Sequence, residues 1–230
     1  YVDTTASINQ TACSLGTYQP STAQSSCIDA DPGYFVPISG SANQTACAVG
    51  TYQPSSGQSS CIDASPGNYV DTNASIVQNP CITGTYQPSS GQSSCIDASA
   101  GYYVDTTTST FQTACAVGTY QPSTGQSSCI DASAGYYVDS IGSATQTTCT
   151  VGTYQPSTGQ SSCIDASAGY YVDSTGSTTQ IACSTGTYQP STGQSSCIDA
   201  SAGYYVDTTA SINQTACSLG TYQPSTGQSS

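Results

Sequence analysis

The stretch Cys115-Ala-Val-Gly118-Thr-Tyr120-Gln-Pro122-Ser-Thr-Gly125-Gln-Ser-Ser-Cys129 places two cysteines on either side of a Pro-Ser-Thr-Gly segment. Pro122 suits the second position of a type I turn and Gly125 the left-handed position that forms a bulge, so the segment reads as a β-hairpin. Working outward, cysteine recurs at 13, 27, 47, 61, 81, 95, 115, 129, 149, 163, 183, 197 and 217, with gaps that alternate between 14 and 20. Together the two gaps set a period of 34. Tyr1, Phe35, Tyr69, Tyr103, Tyr137, Tyr171 and Tyr205 keep it, and so do Pro20, Pro54, Pro88, Pro122, Pro156, Pro190 and Pro224. Fixed self-similarity of this kind marks a repeat array. The units are rich in Gly, Pro, Thr and Tyr and lack an apolar helical period, which points to β-structure and turns.

A shorter period of 17 lies inside the longer one. Ala98-Ser-Ala-Gly101-Tyr-Tyr103 aligns with Cys115-Ala-Val-Gly118-Thr-Tyr120, and Gly135 and Gly142 repeat the spacing of Gly118 and Gly125. Each unit is then two related halves, one with the cysteine pair and one without. In the second half Asp139-Ser-Ile-Gly142 offers an Asx-type turn start. That turn is less uniform, because Gly142 is replaced by Ala6, Ala74, Thr108 or Ala210 elsewhere. The expected fold is all-β and disulfide-rich: a linear tandem array of 34-residue units, each two short β-hairpins, without a single globular core. The whole of 1–230 is one array, with units at about 1–34, 35–68, 69–102, 103–136, 137–170, 171–204 and 205–230. Residues 205–230 repeat 1–26 with one change, Ala23 to Gly227, and the next cysteine would fall just after Ser230. Cys217 is thus expected to be unpaired through truncation of a longer array.

Composition narrows the function. The 230 residues include no Lys, Arg or His, and the 13 acidic residues give a net charge of −13. Nucleic acid is excluded as a partner, since phosphate binding is driven by Lys and Arg. No stretch is apolar enough to span a bilayer, so no membrane insertion is expected in this window. Leu occurs only at Leu15 and Leu219 and Phe only at Phe35 and Phe111. Such a chain cannot assemble one large core. A unit core of one Val, one Ile and two or three Tyr is expected, with tyrosine rings stacked between units in place of aliphatic side chains. Regular cysteines with no histidine to complete a metal site indicate disulfides, and hence an extracellular or cell-surface location.

Two pairings fit the spacing, Cys115 with Cys129 across the hairpin or Cys129 with Cys149 across the longer gap. The turn favours the first, by folding the ends of its segment together. Closing that loop is worth about 3 kcal/mol on the chain-entropy model. The pattern Cys115-Ala-Val-Gly118-Thr-Tyr120 followed by Gly125-Gln-Ser-Ser-Cys129 resembles the ephrin-receptor-like cysteine-rich repeats, and is similar to the smallest module of tumour-necrosis-factor-receptor-type ectodomains. Similar long arrays occur in surface proteins of marine microbes. The resemblance implies pairing of the cysteines that flank the G-x-Y motif: Cys13 with Cys27, Cys47 with Cys61, Cys81 with Cys95, Cys115 with Cys129, Cys149 with Cys163 and Cys183 with Cys197. The family often has C-x-x-C after the hairpin, where this chain has Cys129-Ile-Asp-Ala132. The half from Ala132 to Thr148 therefore lacks a staple, and its fold is expected to rest on stacking against its neighbours.

The chain is not expected to be an enzyme. Without His, Lys or Glu there is no usual general base, and the aspartates recur with the repeat where a catalytic pair would be unique. No cofactor is expected. Calcium is the possible ion, with Asp97, Asp105, Asp131 and Asp139 as its candidates, although two carboxylates per unit are few. N-x-S/T sequons at Asn9, Asn43, Asn73 and Asn213 are candidates for N-glycosylation, whereas Asn79 precedes Pro80. The Ser- and Thr-rich segments beside Pro suit O-linked sugar as well. The expected function is structural: a glycosylated subunit of an extracellular filament, fibre or stalk whose partners are copies of itself. The alternative is a receptor or adhesin ectodomain that uses the repeats to bind a ligand or carbohydrate.

Overall fold

A computed structural model describes residues 9–230. Among these residues there is no helix. Two-residue strands pair in sequence order into twelve antiparallel two-stranded sheets. The cysteine-bearing hairpins pair Thr119–Tyr120 with Ile130–Asp131, in the register Thr119↔Asp131 and Tyr120↔Ile130. The others pair Tyr136–Tyr137 with Thr147–Thr148, in the register Tyr136↔Thr148 and Tyr137↔Thr147. The chain forms two compact units. One reaches to Ser99 and takes in Tyr103–Thr113 and Thr124–Ser128; the other is made of Ala100–Tyr102, Ala114–Ser123 and Cys129–Ser230.

Within each unit the hairpins follow one bonding scheme that recurs with every half-repeat. Each hairpin starts on a glycine and closes where the N–H of a later Cys or Ala donates to the carbonyl of that glycine. Cys149 to Gly135 at 2.9 Å and Ala166 to Gly152 at 2.8 Å are examples. The opening glycine donates in turn to the next hairpin, Gly135 to Gln155 at 2.8 Å and Gly152 to Val172 at 2.8 Å. A third bond spans two hairpin steps, from the turn glycine Gly159 to the Ala132 carbonyl at 2.8 Å. Strands of two residues could not hold themselves in water. They persist because each hairpin's backbone groups are satisfied by the next two.

This close stacking explains the poverty in large aliphatics. The buried positions are three columns of small or slender residues: the opening glycines, the Cys or Ala that closes each hairpin, and a column that alternates Val and Gln. Ala132, Cys149 and Ala166 are fully buried, and so, within 2%, are Val138 and Val172. Gln155 is 4% exposed, and both polar atoms of its amide are bonded: Nε2 donates to the Ser162 carbonyl at 2.8 Å and Oε1 accepts from the Ser157 N–H at 3.1 Å. Two backbone groups of the following loop are thereby satisfied by one side chain, as burial of an amide requires.

The unit core differs from the expected one. Ile130 and its equivalents lie outside, 44–46% exposed, and the paired tyrosines are half-buried, so Val, Ala, Cys and Gln fill the interior instead. The less uniform turn keeps its geometry whatever residue occupies it. Ala74, Thr108 and Ala210 have φ of 54°, 57° and 56°, close to the 73° of Gly142; Ala6 lies outside the described residues. The turn tolerates a side chain because a Cβ there has room. At Gly142 its nearest neighbours are Tyr102 side-chain atoms at 3.6 Å.

Candidate functional site: the links between hairpins

The covalent chemistry of the chain lies in its disulfides. Six close in the structure: Cys13–Cys27, Cys47–Cys61, Cys81–Cys95, Cys115–Cys129, Cys149–Cys163 and Cys183–Cys197, with Cα–Cα distances of 5.7–5.8 Å. Cys217 is free and half-buried. The register gives the bonds a different role from closing one hairpin. Tyr120 faces Ile130, so the neighbouring Cys129 does not lie opposite Cys115 in this hairpin. Cys115 is instead the last residue of the preceding hairpin, where its N–H donates to the Gly101 carbonyl at 2.9 Å. Each disulfide therefore fastens the end of one hairpin to the loop of the next. The buried partner is the one that closes a hairpin: Cys115, Cys149 and Cys183 are fully buried, while Cys129, Cys163 and Cys197 are half-exposed.

The alternate links lack a disulfide but are not left to stacking alone. One half-repeat further along the sequence, Ala166 stands in the place of Cys149 and Gln180 in the place of Cys163. Gln180 makes the equivalent connection: its Oε1 accepts the N–H of Ser167, the residue after Ala166, at 2.7 Å. Gln78 to Ser65, Gln112 to Ser99, Gln146 to Ser133 and Gln214 to Ser201 repeat the bond at 2.7 Å. At Gln44 the clamp is doubled, since Nε2 also donates to Asp31 Oδ2 at 2.7 Å. Hairpins are thus joined alternately by a covalent bond and by a glutamine clamp. Nothing in the sequence alone singled out these glutamines, although laying one half-repeat over the other places Gln146 on Cys129.

This equivalence carries a prediction. Ala98→Cys with Gln112→Cys should place two cysteines in the geometry of the native pairs and form a further disulfide. The substitution exchanges a polar clamp, worth about 1 kcal/mol net, for a covalent loop worth about 3 kcal/mol. The urea midpoint should rise, and the mass gained on full reduction should exceed that of the six native disulfides by two hydrogens. Two free thiols in addition to that of Cys217 in the folded variant would show that the clamp does not mark a disulfide position.

The acidic candidates do not converge. Asp97 packs its carboxylate beside Gly125, 3.6 Å from where a Cβ would stand, and Asp131 does the same at Gly159. Asp139 accepts a hydrogen bond from Ser140 Oγ at 2.8 Å, and Asp105 is exposed. Among the described residues, no three side chains of the His, Cys, Asp and Glu types come together in a way that could hold a metal ion. The sequon residues Asn9, Asn43, Asn73 and Asn213 are all exposed. Asn73 Oδ1 accepts the Val49 N–H at 3.2 Å, which ties that side chain to a neighbouring hairpin. No helix among the described residues is long and apolar enough to cross a membrane.

The family profile described as tyrosine-protein kinase ephrin type A/B receptor-like matches residues 101–149, 135–183 and 169–217, three overlapping segments each offset by one repeat unit. Together they span just over half of the chain. No curated protein sequence matches it. The repeats are a disulfide-rich module of the extracellular, non-catalytic kind. With its glycine-opened hairpins and regularly spaced disulfides, the chain belongs to the ephrin type A/B receptor-like family of cysteine-rich repeats.

Proposed function

We propose that this array is a structural extracellular protein, a glycosylated subunit of a filament, fibre or cell-surface stalk. The observation that carries the reading is the recurrence of one surface. Ile28, Ile62, Ile96, Ile130, Ile164 and Ile198 are exposed to within 2% of one another, each opposite a half-buried tyrosine. A ligand site needs particular residues at one place, whereas a surface repeated once in every unit suits contacts that recur along an assembly. Identical hairpins give copies of the chain equivalent faces to offer one another, and the sequence that could have diverged into a binding site has stayed uniform at Gly-Thr-Tyr-Gln-Pro-Ser. The absence of Lys and Arg also leaves trypsin-like proteases without a cleavage site.

Electron microscopy of the native, unreduced protein tests this. Long uniform filaments with an axial spacing set by the repeat are the expected result. Isolated flexible particles that never assemble would overturn the fibre reading and favour a receptor or adhesin ectodomain, in which weak contacts add along the array.

A further inference from the structure

Several hydroxyl side chains that recur with the repeat are engaged by the backbone. Thr85, Thr119, Thr153 and Thr187 each donate to the carbonyl three residues back at 2.8 Å. Ser75, Ser109, Ser143 and Ser177 each donate to a nearby backbone carbonyl at 2.7–2.9 Å. These hydroxyls are part of the fold. The pair that follows the proline of each cysteine-bearing turn behaves differently. Ser89–Ser90, Ser123–Thr124, Ser157–Thr158 and Ser191–Thr192 are all exposed, and none of their hydroxyls bonds to the protein.

The backbone that carries those hydroxyls is firmly held. The Ser89 N–H donates to Gln87 Oε1 at 3.1 Å, and Gln92 Nε2 donates to the Ser90 carbonyl at 3.0 Å. Below them Gln87 is 4% exposed and also donates to the Ser94 carbonyl at 2.8 Å, while the Gly91 N–H reaches Ala64 at 2.8 Å. The turn is a fixed platform that directs two unused hydroxyls into solvent. Attaching a group to either would break no hydrogen bond and order no additional backbone.

We propose that this Pro-Ser-Ser/Thr turn is the O-glycosylation site of the protein, repeated once per unit at Ser21–Thr22, Ser55–Ser56, Ser89–Ser90, Ser123–Thr124, Ser157–Thr158, Ser191–Thr192 and Ser225–Thr226. The inference deepens the glycosylated-fibre reading above and rests on it. The co-reactant is a sugar activated as a nucleotide- or lipid-linked pyrophosphate. The serine or threonine Oγ attacks its anomeric carbon, the bond from that carbon to the pyrophosphate oxygen breaks, the pyrophosphate leaves with the electron pair, and the hydroxyl proton passes to a base of the transferase. A neutral sugar suits the site better than phosphate. With a net charge of −13 and no cation in the chain, added negative charge would have no partner. The turn also offers what the sequons do not, because it occurs in every unit while N-x-S/T occurs at four positions only.

Site-resolved mass spectrometry of the native secreted protein tests the proposal. After reduction and alkylation, a protease that cuts before aspartate isolates each turn, for example on the peptide from Asp105 to Ile130. Sugar mass on Ser123 or Thr124 and on their equivalents, absent from Thr119 and removed by mild alkaline elimination, is the expected result. Bare turns, sugar confined to asparagine, sugar on Thr119, or phosphate in place of sugar would each overturn it. Microscopy of the same sample separates the two readings: filaments with bare turns would defeat only the site assignment, and modified turns on unassembled protein would defeat only the fibre.

Discussion

Full reduction and alkylation is expected to abolish the protection of the backbone amides in water, without added denaturant. Each disulfide closes a loop across a sequence separation of 14, worth about 3 kcal/mol. The side chains that would have to hold the array without them are small. Val138 and Ala132 are buried, whereas Ile130 is 46% exposed, so little apolar area leaves water per unit. The effect compounds along the chain, because a tandem array is stabilised by nearest-neighbour terms and every second link weakens at once. The glutamine clamps cannot compensate, since each contributes about 1 kcal/mol. Hydrogen exchange of the unreduced and alkylated forms is the measurement. In the unreduced form the amides of Gly135, Cys149 and Gly152 should be slow, since each donates to a backbone carbonyl within the stack. Amides that stay slow after every thiol is blocked would mean that backbone bonding and the Val and Gln columns suffice alone.

Part of this architecture was legible in the sequence, and the part that was not has a physical explanation. Cysteine spacing and the recurrence of Gly101 at Gly118 were enough to specify tandem hairpins that advance by half a repeat at each step. The assignment of Cys115 to the preceding hairpin was not evident, because the turn chemistry of Pro122 and Gly125 suggests a hairpin closed by its own cysteines. Register here is set by bonds to the following hairpins, such as Gly152 to Val172, which a local reading of the turn does not contain. Nor did periodicity reveal that Ile130 faces out and Gln155 faces in. Alternation needs a run of about four or more strand positions to be read, and these strands are far shorter. Gln155 is an apparent violation of apolar burial that becomes intelligible once its loop partners at Ser157 and Ser162 are seen. The sequon positions and the turn hydroxyls were visible as residues, but only the structure separates hydroxyls that are engaged in the fold from those that are unused.

The sharpest test of the stacking scheme is a pair of substitutions within one hairpin. Gly118→Ala is expected to destabilise the array by about 2–5 kcal/mol and Gly125→Ala by only about 1–2 kcal/mol, although both glycines are left-handed, at φ of 83° and 70°. The conformational penalty is shared, about 1–2 kcal/mol for any residue with a Cβ. The difference lies in what the Cβ meets. At Gly118 it would stand 2.9 Å from the carbonyl carbon of Gly159 and closer still to its oxygen, so the backbone of a hairpin two steps away must move. Forcing apart a packed contact of that kind adds about 1–3 kcal/mol. At Gly125 the nearest atoms belong to the Asp97 side chain at 3.6 Å, an ordinary contact. The sequence already contains the milder experiment, because Ala74 and Thr108 occupy the equivalent turn position with φ of 54° and 57°. Thr108→Gly should therefore move stability the other way, relieving a β-branched residue held where such residues are rare. Urea midpoints for the three variants decide the matter. Equal losses at Gly118 and Gly125 would mean that the cost is conformational alone and that the hairpins do not approach at the opening glycine. A large loss at Gly118, a small one at Gly125 and a gain at Thr108 would establish that column of glycines as the surface on which successive hairpins are laid.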